Sequence, residues 1–134
     1  MDRQFINTSE NPVVVIETVQ GDLRLKGHLE REVAAKASEA EDLSLEQRGD
    51  AIVLSSRGDL SVRVPRKATV RVQTAHGDVT VKALEGDLEI DTVHGELTLR
   101  GVGSTHVNQI HGELSAKNIA GDLLVEAVDG DTDV

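Results

Sequence analysis

Three histidines stand at a regular interval in the C-terminal half of this 134-residue chain: His76, His94 and His111, spaced 18 and 17 residues apart, with Asp129 following at 18 more. Imidazole is the commonest protein ligand for zinc, copper and nickel, and a carboxylate completes a donor set of the right kind. Equal spacing in a repeating fold would bring these four side chains into one column, which makes them the candidate metal-binding group of the chain. Geometry counts against a tight site. Side chains one strand apart sit about 4.8 Å from each other, whereas two ligands of one zinc ion lie within about 3.5 Å. We therefore expect no bound metal or other cofactor, and a column of stacked turn residues.

Each histidine belongs to a longer phrase. Val72-Gln-Thr-Ala-His-Gly-Asp-Val-Thr-Val81 returns as Ile90-Asp-Thr-Val-His-Gly-Glu-Leu-Thr-Leu99, as Val107-Asn-Gln-Ile-His-Gly-Glu-Leu-Ser-Ala116 and as Val125-Glu-Ala-Val-Asp-Gly-Asp-Thr-Asp-Val134. A weaker copy around Gly86, Gly103 and Gly121 falls between them, so the unit is about nine residues and two units make a period of about 18. Counted from each glycine, the third and fifth positions are mostly apolar (Val79 and Val81, Leu97 and Leu99), the alternation of a short half-buried strand. The eighth position is apolar again, and the next glycine then marks a corner where the backbone turns and the adjacent Asp, Asn or Glu can bond it.

Alternation alone would also fit a hairpin meander. The columns decide otherwise: Thr80, Thr98 and Ser115 share one position, and Lys82, Arg100 and Lys117 share another. Like residues at a two-unit period are what stacked parallel coils produce. The spacing predicts an all-β, single-stranded parallel β-solenoid, or β-helix, of about 18-residue coils, each made of two nine-residue Gly-Asp units. The cationic column should face solvent or find carboxylates such as Glu89 and Asp91.

The rest of the chain fits one domain. Residues 1–12 read as a flexible N-terminal arm and 13–134 as a single solenoid, with 13–65 forming less regular N-terminal coils and a cap and 66–134 the regular repeats. Within 29–40 both helical spacing and a strand are open, and a strand at Glu32 to Ala37 is favoured as the element covering the first coil. Pro65 ends the strand begun at Leu60.

Composition excludes several functions. A net charge of −10 and a single aromatic residue, Phe5, argue against a nucleic-acid partner. Cysteine is absent, which removes disulfides and thiolate metal sites. No segment reads as a membrane span or signal peptide, so the chain as written is expected in the cytoplasm. The Gly-Asp period lacks the Gly-Gly-x-Gly-x-Asp pattern of calcium β-rolls. Ser104 and His106 could suggest a nucleophile and base, and are better read as surface residues of the unit with a one-residue deletion. No catalytic residue follows, and no enzyme is expected.

Leu60-Ser-Val-Arg-Val-Pro65, followed by Ala68-Thr-Val-Arg-Val72 and then the Gly-Asp units, is similar to the bacterial putative-adhesin family, over residues 12–134. The resemblance implies a single-handed β-solenoid without catalytic residues, in proteins often placed at the cell envelope. Two features depart from that pattern: His76, His94 and His111 stand where relatives commonly carry a small or amide side chain, and the export or anchor segments often seen in relatives are missing.

The last unit stops at Val134 without a polar cap, and solenoid ends normally need one. We expect a homo-oligomer formed through the C-terminal coil, at Val125, Val128, Thr132 and Val134, either as a two-fold dimer or as a head-to-tail polymer. The chain thus reads as a non-enzymatic, adhesin-like interaction scaffold. The alternatives are a ligand- or metal-binding module using the histidine column and, less favoured, a polysaccharide-active β-helix enzyme.

Overall fold

Val79, Val81, Leu97, Leu99, Leu114 and Ala116 are all buried at 2% exposure or less, as alternating strand positions facing one interior require. The computed structural model describes residues 3–7, 13–28, 32–37, 43–48 and 51–133. These form fifteen strands and no helix. The N-terminal part contains β1 (Arg3–Asn7), β2 (Val13–Val19), β3 (Leu23–His28), β4 (Glu32–Ala37), β5 (Leu43–Arg48), β6 (Ala51–Ser56) and β7 (Leu60–Pro65). The repeats contribute β8 (Thr69–Ala75), β9 (Val79–Lys82), β10 (Leu88–Val93), β11 (Leu97–Arg100), β12 (Thr105–Ile110), β13 (Leu114–Lys117), β14 (Leu123–Val128) and β15 (Thr132–Asp133).

From β6 onward consecutive strands do not pair with each other. They alternate between an eight-stranded sheet, ordered β1-β4-β7-β3-β9-β11-β13-β15, and a seven-stranded sheet, ordered β14-β12-β10-β8-β2-β6-β5. Pairing within each sheet is parallel except at β1–β4, β4–β7 and β5–β6. The result is a β-solenoid-like, all-β fold whose apolar side chains meet between the two sheets. In the regular part Leu97 lies opposite Val79 on one side and Leu114 on the other, and Ile90 lies opposite Val72 and Val107.

Glu32–Ala37 is a strand, as favoured from the sequence. Residues 3–7 differ from the expected flexible arm, because they form β1 and pair antiparallel with β4 from Arg3↔Lys36 to Asn7↔Glu32. The physical reason is edge protection: β4 would otherwise present a row of unpaired backbone groups. Strands β1, β4 and β5 thus close one end of the stack in antiparallel fashion.

The order of the stack also departs from the order of the chain. β2 pairs with β6 on one side and β8 on the other, and β3 lies between β7 and β9. The segment Val13–His28 is therefore inserted between Ala51–Pro65 and Thr69–Lys82. Its side chains Val14, Ile16, Val19 and Leu23 are fully buried in consequence.

Candidate functional site

The corners of the stack position every residue singled out from the spacing. At each one a strand of the seven-stranded sheet ends, the chain passes through a glycine and an acid, and a strand of the other sheet begins. Backbone bonds fix the residue before the glycine: His76 N donates to Val19 O at 2.8 Å, His94 N to Ala75 O at 2.9 Å, His111 N to Val93 O at 2.8 Å and Asp129 N to Ile110 O at 2.9 Å. Each of these four side chains is thus held one strand from the next.

The imidazoles form a continuous stack. Ring centroids are 4.9 Å apart in both His76–His94 and His94–His111, with interplanar angles of 1° and 8°. Asp129 ends the column, its Oδ2 lying 3.0 Å from His111 Nδ1. Parallel rings send their nitrogen lone pairs along parallel planes, so the three imidazoles do not converge on one point. Among the described residues no group of three or more His, Asp or Glu is placed to hold a metal ion. The column is an exposed face-to-face stack closed by one carboxylate.

The acids after the glycines have a clear task. Asp59 Oδ1 accepts from Asp22 N at 2.8 Å, Asp22 Oδ1 from Asp78 N at 3.0 Å and Asp78 Oδ1 from Glu96 N at 2.9 Å. Each aspartate therefore clasps the corner of the neighbouring coil, a bond between a charged acceptor and a backbone donor. The glycines have a second role. Sequence logic assigned them to turning, yet among the described residues the only glycine with positive φ is Gly101, at +60°. The corner glycines allow close approach: a Cβ at Gly77 would lie 2.6 Å from Gly21 O, and one at Gly95 would lie 2.7 Å from Gly77 O. Removing one clasp should have a moderate effect. Asp78→Ala is expected to lower stability by about 1 kcal/mol, read as a shifted urea midpoint. Glu113→Ala should stay within about 0.5 kcal/mol of the parent.

Ser104 and His106 are not joined by a hydrogen bond. Ser104 precedes β12 and is exposed, while His106 Nε2 lies 3.8 Å from Glu126 Oε1 and has no hydrogen-bond partner. Both border an open depression of about 660 Å³ that also touches Asp87, Asp122 and Leu124. A nucleophile–base pair needs a hydrogen bond that this arrangement does not make.

At the end of the stack opposite β1 and β5, the apolar interior is incompletely covered. Val125 and Val128 of β14 are half-buried, with Ile119 and Leu123 beside them, and Leu124 is 56% exposed. Thr132 on β15 is exposed, and Val134 lies outside the described residues. Among the described residues β14 pairs only with β12 and β15 only with β13.

The cationic column is longer than the sequence showed. Lys82, Arg100 and Lys117 are paired neighbours, and the row continues through Lys26 to Arg63 because β3 and β7 lie beside β9. The carboxylates expected near it are elsewhere. Glu89 and Asp91 belong to the other sheet, where Glu89 Oε2 accepts from Arg71 Nε at 3.2 Å and Asp91 Oδ1 accepts from Asn108 Nδ2 at 2.9 Å. Sequence reasoning missed Lys26 and Arg63 because nothing local reveals that Val13–His28 is inserted into the stack.

The described residues contain no helix long and apolar enough to cross a membrane. A family model described as Toastrack DUF4097 matches residues 14–134. Among solved structures, the chain is similar to a putative cell adhesion protein from Clostridium sporogenes, at 10% identity and a TM-score of 0.47, covering 98% of this chain and 96% of that one. It is also similar to a putative adhesin from Parabacteroides merdae, at 9% identity and a TM-score of 0.32, covering 99% of this chain and 95% of that one. No curated protein matches the chain.

Proposed function

We propose, from the premise that the chain belongs to the Toastrack DUF4097 family, that it is a non-enzymatic, adhesin-like scaffold that joins a second copy of itself through the β14–β15 end. In this reading two nine-residue Gly-Asp units build one coil of about 18 residues. The repeated side chains are occupied by stacking: glycine allows the approach of coils, aspartate clasps the corner, and Val, Leu and Ile fill the interior.

The observation that carries the self-association reading is the contrast between the two ends. One is closed by antiparallel strands, whereas at the other Leu123, Val125 and Val128 remain only half-covered and Leu124 is 56% exposed. A parallel strand edge with a half-open apolar row accepts another strand pair of the same pattern. The closed end also favours one of the two assemblies: a head-to-tail polymer needs the opposite end as its partner surface, and β1, β4 and β5 cover it. A two-fold dimer, in which the β14–β15 end meets its own copy, needs only the one surface.

The charges around that end give the reading a distinctive signature. Asp122, Glu126, Asp129 and Asp131 are exposed there, and residues 118–134 contain no Lys or Arg. Two such rims repel at low ionic strength and are screened by salt. Sedimentation velocity should show a dimer whose population rises with salt concentration, and Val125→Asp/Val128→Asp should return it to monomer. A strict monomer at every concentration and salt, or a dimer indifferent to the double substitution, overturns the proposal.

A further inference from the structure

An acidic protein with a net charge of −10 and 14 Lys and Arg residues carries, among the described side chains, seven of them on one face of one sheet. Strand register sets five of them in a line: Arg63↔Lys26, Lys26↔Lys82, Lys82↔Arg100 and Arg100↔Lys117 are directly paired positions on five adjacent parallel strands. With strands about 4.8 Å apart, the line runs about 19 Å. Arg24 and Lys36 flank its β7 end, and all seven side chains are exposed. Among the described residues, none of the seven is in an ion pair.

Five like charges directly opposite one another destabilise a sheet, and the intact interior beneath offers no reason for their presence. Beside them runs a second line two residues earlier in each strand: Ser61, Arg24, Thr80, Thr98 and Ser115. Two residues earlier again are the clasping acids and their equivalents, Asp59, Asp22, Asp78, Glu96 and Glu113. The face is therefore banded, with cations, then a line of hydroxyls interrupted by Arg24, then carboxylates. At one end of the cation line, Arg24, Lys26, Lys36, Arg63 and Lys82 border a depression of about 550 Å³, with Ser61 and Thr80 also at its wall.

The banding selects the shape of the ligand. Carboxylate and cation lines are four residues apart along a strand, about 13 Å, which exceeds the Debye length of about 8 Å at physiological salt. A thin chain lying on the cations is thus screened from the acids. A nucleic-acid duplex or a membrane plane is broad enough to cover both bands and meets the repulsion. Hydroxyls along the line suit a polymer that carries hydroxyl groups between its charges. With a single aromatic residue in the whole sequence, Phe5, the face has no row of rings for base stacking.

We propose that this face binds a linear anionic polysaccharide along the line Arg63, Lys26, Lys82, Arg100 and Lys117, its carboxylate or sulfate groups pairing with the cations and its hydroxyls bonding Ser61, Thr80, Thr98 and Ser115. The site uses a different surface from the β14–β15 end, so the two proposals stand or fall separately.

Titration of the full chain with polygalacturonate and with heparin at low salt tests the assignment and distinguishes carboxylate from sulfate ligands. Binding of either should fall steeply as salt rises. The variant Arg63→Glu/Lys82→Glu/Lys117→Glu should lose affinity by about tenfold or more, while its thermal midpoint stays at or above that of the parent because opposite charges then alternate along the line from β7 to β13. Arg71→Glu, on the other sheet, should leave binding unchanged. The proposal is overturned if neither polysaccharide binds, if Arg71→Glu weakens binding as much as the triple variant, or if duplex DNA or phosphatidylglycerol vesicles bind more tightly than either polysaccharide.

Discussion

Gly95→Ala is expected to lower stability by about 3 kcal/mol, a large share of the margin of a domain this size. The cause is spatial. A methyl group there would lie 2.7 Å from the carbonyl oxygen of Gly77 and 2.5 Å from Asp78 Oδ1. Both atoms belong to the neighbouring corner, and the carbonyl is backbone that cannot rotate away. The corner would have to open, weakening the clasp from Asp78 to Glu96 N as well. Gly101 supplies the control: it has positive φ, and its nearest atom to a new methyl, Ala83 N, is 3.9 Å away. Gly101→Ala should therefore cost only the left-handed backbone strain, about 1 kcal/mol. Ala83 already tolerates that conformation at φ 57°. Urea denaturation of the two variants checks the difference, and equal costs would contradict a close-approach role for the corner glycines.

Ile16→Ala should be comparably severe, at about 3 kcal/mol or more. Ile16 has no exposed surface, because β2 is covered by β6 on one side and β8 on the other. Were the stack to follow the order of the chain, Val13–His28 would form an outer coil and the substitution would be mild. Val128→Ala, at the half-buried end, is expected to cost about 1 kcal/mol. A smaller loss at Ile16 than at Val128 in the same denaturation experiment would contradict the inserted position of β2.

These two sites mark what the sequence reveals and what it hides. Strands at 79–82, 97–100 and 114–117 are legible because alternation and like-residue columns both depend on local spacing, and Thr98 indeed lies opposite Thr80 and Ser115. The inserted position of β2 and β3 is not legible: alternation states which face of a strand is buried but not which strand lies beside it. That omission concealed the link from Lys82 to Lys26 and Arg63. Glu89 and Asp91 look available to the cation line for another reason: closeness along the chain does not show that β10 lies on the other sheet. The second role of the glycines is hidden for a related reason. A glycine that turns the chain and a glycine that lies against a neighbouring carbonyl look the same in one dimension, and only the stack separates Gly101 from Gly77 and Gly95.

The histidine column illustrates the same limit from the other side. Its spacing correctly places His76, His94 and His111 together, yet ring orientation decides the chemistry. Stacked at 4.9 Å with nearly parallel planes, the imidazoles contact one another through their faces, and only His111 reaches a carboxylate. The two surfaces proposed for partners, the cation line and the half-open end, do not depend on the histidines.

Self-association through β14 is the central claim, and hydrogen exchange resolved along the chain tests it most directly. Backbone amides of Leu123–Val128 that face away from β12 should become more protected as protein concentration rises at high salt, with no such change in β1 or β5. Protection of β14 that is independent of concentration, or a concentration-dependent change confined to β1 and β5, would contradict it.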